Sequence, residues 1–329
     1  MNIIALCIAF AASMIITKLI PLLGIVDHPA DRKVHAETIP QAGGLGFILP
    51  FIAVLAFMSF RQTFGMTAVV LIICTAYMGL VGLIDDVGNI SARNKLILQL
   101  PVVIFSMAAG LMFDKCGVFF NILLTLLWYL GMMNAMNVLD GLDGLAGGIS
   151  AVSCAGFAAL GYMNGDRLLL YASLTLCAGN LGFLVFNFYP AKIFMGDTGS
   201  LALGYLMSAF GIMAYKSCAS SPLDIGVPLL IIFIPTYNIF VCVAKRMLGG
   251  ISLFTADDTQ TYHLIMRQRG VSMRNTVLIF YAVNVLTALA AFVYMRLVIW
   301  QKFAAMAVII ALCVAATSVM GFLNKNANV

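Results

Sequence analysis

The chain has 329 residues, of which 63% are hydrophobic and only 9% charged, with a formal net charge of +5. A soluble protein carries about a quarter charged residues, so this composition excludes a soluble globular domain. It predicts an all-α polytopic integral membrane protein.

The first apolar run, 3–23, is about as long as a bilayer span. It lacks the basic start and small-residue cleavage site of a signal peptide and reads as a retained helix. Further apolar runs follow near 44–60, 66–84, 96–113, 118–138, 145–163, 168–188, 199–215, 226–247, 276–297 and 299–321, giving eleven predicted spans. They form a single transmembrane domain over 1–329, with polar loops near 24–43, 85–95, 139–144, 189–198 and 248–275. Six of the eight cysteines (Cys7, Cys74, Cys154, Cys177, Cys242 and Cys313) lie inside these runs, where they behave as small hydrophobes. None falls in a CxxC or CxxH pattern.

Lys and Arg accumulate on the cytoplasmic side of a membrane protein. Threading the eleven spans puts 12 of them on one side and 6 on the other, which predicts an external N-terminus and a cytoplasmic C-terminus. The acids did not enter that count, yet ten of the thirteen fall on the same face. The positive-inside rule does not require this, so a working surface is expected there.

The loops on that face carry clusters. The first reads "VDHPADRKVHAETIPQAGGLGF", the second "GLIDDVGNISARNK", the third "NVLDGLDGLAGG" and the fourth "NFYPAKIFMGDTGS". A fifth, "KRMLGGISLFTADDTQTYHLIMRQRG", holds most of the remaining charge. Asp85 and Asp86 close the third span; Asn137 and Asp140 close the fifth. Asn137, Asp140 and Asp143 stand three apart, a spacing that aligns them on one helix face. Carboxylates at a helix C-terminus face its negative end, at about 0.3–1 kcal/mol each, so a cation should offset them. Arg93 and Lys95 are candidates, and so is a divalent ion: carboxylate and amide oxygens suit Mg²⁺ or Mn²⁺. Asp197 is predicted just before the eighth span, where "DTGS" would cap the helix and leave backbone N–H groups open to phosphate. Metal oxygens beside an anion-binding helix start point to phosphoryl transfer.

Each piece has a plainer reading. Asp85-Asp86 serves equally as a solvated helix end, Arg32 and Lys33 as positive-inside anchors, and His263 as a hydrogen-bonded loop residue. "DGLDG" lacks EF-hand spacing, and no GxxxxGK[ST] phosphate loop is present.

Together and in order, these motifs resemble the polyprenyl-phosphate N-acetylhexosamine-1-phosphate transferases, and the eleven-span count resembles their glycan-initiating branch. The segments that carry the likeness are "RKVH…P…GG", "DD", "SARNK", "NVLDGLDG" and "NFYPAKIFMGDTGS". The resemblance implies transfer of a sugar 1-phosphate, with GlcNAc the default sugar, from a UDP-sugar to undecaprenyl phosphate. UMP is released and a cell-envelope polysaccharide begun. It implies that Asn137 and Asp197 hold Mg²⁺ (or Mn²⁺), that Lys33 and Lys95 bind substrate, and that Lys95 meets the pyrophosphate. Asp85 and Asp86 would sit at the reacting centre. Asp140 and Asp143 would shape the nucleotide site with Asn187 and Phe194. His263 and Arg267 would lie near the sugar and phosphates. The implied setting is the bacterial inner membrane, with the site on its cytoplasmic face. Membrane lipid surrounds the chain, no nucleic acid is expected as a partner, and a homodimer stays open.

Three positions depart from that family. Its usual H-x-H-H run is here Gln260, Thr261, Tyr262, His263; its usual Asp after a Pro-x pair is Asn238; and Asp258 replaces a frequent basic residue. Altered sugar specificity is the reading drawn from them. The alternatives are a catalytically silent homologue with a binding role and a membrane transporter; the latter needs acids at the bilayer midplane and broken helices, whereas nearly all acids here sit at span ends and only Pro235 and Asn238 lean that way.

Overall fold

The computed structural model describes residues 3–27, 38–61, 64–218, 220–250 and 260–319. Thirteen α-helices follow one another among the described residues. They are α1 (Ile3–Leu19), α2 (Leu45–Arg61), α3 (Gly65–Gly88), α4 (Ala92–Ala108), α5 (Val118–Leu139), α6 (Leu145–Asn164), α7 (Arg167–Asn187) and α8 (Gly196–Cys218). Then come α9 (Gly226–Ile231), α10 (Phe233–Gly249), α11 (Thr261–Arg269), α12 (Met273–Met295) and α13 (Ile299–Val319).

All eleven apolar runs are helical, but their lengths differ from the expectation. Eight helices, α1 extended by its 3₁₀ turn among them, are long and apolar enough to cross a bilayer, and a bent pair raises the number to nine. α2 and α4 have 17 residues each, at the short end for a span. The run 226–247 is broken: α9 and α10 meet at 101°. A break in lipid must satisfy the backbone groups that it frees. Here Ser153 Oγ and Asn284 Nδ2 donate to the Ile231 carbonyl at 2.9 and 3.3 Å, and Asn284 Oδ1 accepts the Ile234 N–H at 3.4 Å.

The hub is α8, buried along its whole apolar length. Without a hydrophobic drive between helices in lipid, packing and hydrogen bonds hold them together, and small residues let backbones approach. α3 and α5 pack closely on α8. A Cβ at Gly204 would run into the Met133 backbone, and one at Gly82 into the Asp197 carbonyl. Trp128 Nε1 on α5 adds a bond to the Ser208 carbonyl on α8 at 3.0 Å. At the end of the bundle opposite Asp197, a buried pair ties α13 to the loop before α9: Lys302 Nζ lies 2.5 Å from Asp224 Oδ1.

Three loop expectations change. The fifth loop, placed near 248–275, contains the helix α11. Asp197 is the second residue of α8 rather than its forerunner. α5 stops at Leu139, with Asp140 as its C-cap, so Asp143 lies in the following turn and not on a shared helix face with Asn137. A two-stranded antiparallel ladder also went unforeseen: β1 (Val26–Asp27) pairs with β2 (Ile39–Pro40). It brings the two ends of the first loop together and continues into the fourth, because Phe194 N–H donates to the Pro40 carbonyl at 2.8 Å.

Candidate active site

α3 and α5 end, and α8 begins, at the same end of the bundle, which gathers the acids of three separate loops. Asp197 is the centre. Its Oδ1 accepts Asn137 Nδ2 at 2.6 Å, and its Oδ2 meets the Lys95 ammonium. Lys95 also pairs with Asp85 Oδ2, so a single cation bridges α3 and α8. Of the two bases expected to offset the acids, Lys95 is the one that does so. Burial disfavours its charge, yet Asp197 and Asp85 outweigh that and hold its ammonium above the usual lysine range. Asp85 is itself buried, and its Oδ1 accepts the Ile90 N–H at 2.5 Å.

Asp86, one residue on, faces elsewhere. Its Oδ1 accepts the Asp197 N–H at 2.7 Å and Gln41 Nε2 at 3.0 Å. Its Oδ2 accepts the Thr198 N–H at 3.1 Å and Thr198 Oγ1 at 2.6 Å. The Gly196 N–H favours the charged form of the Asp140 carboxylate. The second and third N–H groups of α8, those of Asp197 and Thr198, are therefore taken by a carboxylate of this chain. The expectation of open N–H groups for phosphate is overturned at these two, because Asp86 from α3 reaches them first. Asp140 is pushed well above the usual carboxylate range by burial, then by the charges of Asp197, Asp86 and Asp143.

Asp143 and Asn187 staple loops. Asp143 Oδ2 accepts the Ala191 N–H at 2.9 Å. Asn187, buried, accepts the Gly144 N–H at 3.1 Å and donates to the Ile193 carbonyl at 2.9 Å. The turn after α5 and the loop before α8 are thus held as one body. Phe194 is half-buried in that loop, and its carbonyl accepts the Gly43 N–H at 2.9 Å. Gly44 donates to the Met195 carbonyl at 2.9 Å and lies against Gly199, where a Cβ would meet the α8 backbone. The double glycine of the first loop is accordingly a docking point for α8.

α11 closes the arrangement from the side. Tyr262 is fully buried, and its hydroxyl donates to the Val138 carbonyl at 2.9 Å and lies against Gly141. Thr261 donates to Asn238 Oδ1 on α10 through N–H at 3.3 Å and through Oγ1 at 2.8 Å. Two of the family departures, Asn238 and Thr261, are therefore partners of one another. His263 is half-buried, its ring 4.6 Å from that of Tyr262. Arg267 is on the same helix, with its side chain outside the described part. Lys33, with Arg32 and His35, lies outside the described residues, as do Asp257 and Asp258.

Gln41, Thr198 and Ser200 were not singled out from sequence. Gln41 and Thr198 bind Asp86, and Ser200 Oγ accepts Asn137 Nδ2 at 3.0 Å. The last two stand in "DTGS" and were legible as polar caps; Gln41 carried no signal beyond its place before the double glycine.

The donor set fits a hard divalent cation. Among the described residues no cluster of three or more His, Cys, Asp or Glu side chains offers a closed metal cage. Asp197 with Asn137 supplies two hard ligands instead, the pattern for Mg²⁺, which keeps waters and takes substrate phosphate oxygens. Asn137 presents Nδ2 to Asp197, so ligation through its oxygen requires the amide to turn over. Ser200 tolerates either orientation, since a hydroxyl both donates and accepts.

Comparison with known proteins gives one consistent result. The pattern of glycosyl transferase family 4 matches residues 68–215, the stretch that holds Asp85, Asp86, Lys95, Asn137 and Asp197. A probable undecaprenyl-phosphate N-acetylglucosaminyl 1-phosphate transferase of Bacillus subtilis is 33% identical, covering 98% of this chain and 93% of that protein. An undecaprenyl-phosphate alpha-N-acetylglucosaminyl 1-phosphate transferase of Thermotoga maritima is 28% identical over 80% of each chain. A phospho-N-acetylmuramoyl-pentapeptide-transferase of Streptococcus pneumoniae is 36% identical over 54% of this chain and 60% of its own.

Proposed function

The chain belongs to glycosyl transferase family 4, and on that premise we propose that it transfers an N-acetylhexosamine 1-phosphate from a UDP-sugar to undecaprenyl phosphate. An oxygen of the lipid phosphate attacks the β-phosphorus of the donor, the bond to the bridging oxygen breaks, and UMP leaves. The product is the lipid diphosphate-linked sugar, the first unit of a cell-envelope polysaccharide. The relatives' names support GlcNAc as the sugar. The observation that carries the reading is the bridge Asp85–Lys95–Asp197 beside Asn137, in the stretch that the family pattern matches.

Asn137 and Asp197 would hold Mg²⁺, with Mn²⁺ as a substitute. When bound, the ion neutralises pyrophosphate charge as the leaving group forms. Lys95, already between two carboxylates, is placed to share its charge with the donor phosphates. Asp85 holds the Lys95 ammonium in that position. A proton acceptor is a minor need, because such a phosphate is largely ionised near neutral pH (second pKa about 6). Asp143 and Asn187 keep the turn after α5 and the loop before α8 in register, and Asp140 ties the same turn to α8. His263 would approach from α11, the helix that also carries Arg267.

With the short helices α2 and α4 and the bent pair α9–α10 each counted as a span, and the N-terminus outside, this end of the bundle would lie at the cytoplasmic face of a bacterial inner membrane. That is where a soluble nucleotide sugar and a membrane-held acceptor meet. The transporter reading loses support, because the acids cluster at a helix end, and the backbone groups freed at the break between α9 and α10 are bonded by Ser153 and Asn284.

The test is UMP release by purified protein with undecaprenyl phosphate and a panel of UDP-sugars. Lipid-dependent release with a single N-acetylhexosamine donor is expected. Silence with every donor, from folded protein in a competent lipid, would favour a silent homologue.

A further inference from the structure

We infer that the two adjacent acids of α3 divide the work, and that Asp86 is a positioning residue, the cap that fixes Asp197, rather than a metal ligand or proton acceptor. The inference rests on the proposed transfer reaction for its kinetic readout but on geometry for its content. A carboxylate has about four acceptor sites. Those of Asp86 receive four donors: Asp197 N–H at 2.7 Å, Thr198 N–H at 3.1 Å, Thr198 Oγ1 at 2.6 Å and Gln41 Nε2 at 3.0 Å. To ligate a cation or take a proton it would have to strand one of them. Asp85 has one backbone donor, Ile90, and gives its other oxygen to Lys95. It is the member of the pair that holds the Lys95 ammonium.

The surrounding backbone is built for this contact. Gly196 has φ +72°, and a Cβ there would come within 2.5 Å of Asp86 Oδ2. Gly82, one turn before Asp86, lets α3 lie directly on the Asp197–Thr198 peptide. With its own N–H held by Asp86, Asp197 has its Cα fixed while its carboxylate points to Asn137 and Lys95. Gln41 extends the cap to the first loop. Asp86 thus joins three chain segments at the residue on which metal binding would depend.

The experiment pairs Mn²⁺ binding, followed by electron paramagnetic resonance, with UMP release for Asp86→Asn, Asp86→Ala and Asp85→Asn, each checked for fold by melting in detergent. Asn keeps one accepting oxygen, enough for one pair of the four donors, and turns its NH2 toward the other pair, whereas Ala accepts from none. Asp86→Asn should therefore weaken Mn²⁺ binding and lower kcat by about tenfold, the worth of one or two hydrogen bonds, with Ala about tenfold worse than Asn on both. Asp85→Asn should lose at least about 100-fold in kcat, because the amide no longer holds in place the Lys95 charge proposed to stabilise the reacting phosphates. Loss of Mn²⁺ binding in folded Asp86→Asn, or a kcat as low as that of Asp85→Asn, would overturn the assignment. Thr198→Val covers the case in which the Asp86 variants do not fold. It should weaken Mn²⁺ binding by a few-fold, and unchanged binding would count against the cap. If the wild type releases no UMP with any donor, the transfer reading fails, while the Mn²⁺ series still decides the role of Asp86.

Discussion

Lys95 stands between Asp85 and Asp197, and no neutral residue can replace what it does there. Lys95→Met removes the charge and leaves two carboxylates facing one another. The lost electrostatic stabilisation should cost about 100-fold or more in kcat/KM, the scale of a preorganised charge-stabilising group, with the protein still inserted. UMP-release kinetics check this, and near-normal activity would remove Lys95 from the site. Tyr262 invites the opposite expectation from the one its position in a degraded histidine run suggests. Restoring histidine there looks from sequence like a modest change in sugar preference. In the fold, Tyr262 is a fully buried anchor whose hydroxyl holds the end of α5. Tyr262→Phe should lose about 0.5–1.5 kcal/mol, the worth of one hydrogen bond. Tyr262→His should lose more, since the shorter ring leaves the Val138 carbonyl and a void unfilled. Melting temperatures of the two variants test the order, and a histidine variant as stable as the wild type would refute it.

At the scale of elements, the start of α8 is where expectation and structure part most instructively. "DTGS" is legible as a helix start, and the helix is there. The sequence could not say which anion occupies its N–H groups, because that depends on Asp86 and Asp140, residues brought by α3 and the end of α5. Contacts between acids more than fifty residues apart leave no local pattern. The same limit explains Asp143 and Asn187, expected from the resemblance near the nucleotide and found as the staples of two loops. Likewise α11 falls inside an expected loop, since nine residues with little apolar periodicity give no strong helical signal. The close approach of α3 to α8 makes its own prediction. Gly82→Ala places a methyl group against the Asp197 carbonyl, which forces the two helices apart at a cost of about 1–3 kcal/mol. Mn²⁺ affinity should fall with stability, because Asp197 moves with the strain. Unchanged binding and melting would show that the contact is loose.

For the whole molecule, hydropathy alone located all eleven helical runs and their order, while the break between α9 and α10 stayed hidden inside one apolar stretch. The charge count that orients the chain is an argument about loops, and it can be tested apart from catalysis. A C-terminal green fluorescent protein should fluoresce in cells, and alkaline phosphatase fused at the same point should be inactive; the reverse pair of results would put the acid cluster on the outer face, away from its nucleotide donor. If Asn137 at the end of α5 and Asp197 at the start of α8 form the cation site of a glycosyl-1-phosphate transferase, UMP release from UDP-GlcNAc and undecaprenyl phosphate will depend on both. Measured against Mg²⁺ concentration, release by the wild type should be saturable and metal-dependent, and the folded Asp197→Asn variant should release none at any Mg²⁺ concentration. Equal release by the two proteins, or release by the wild type that ignores chelator, would contradict this.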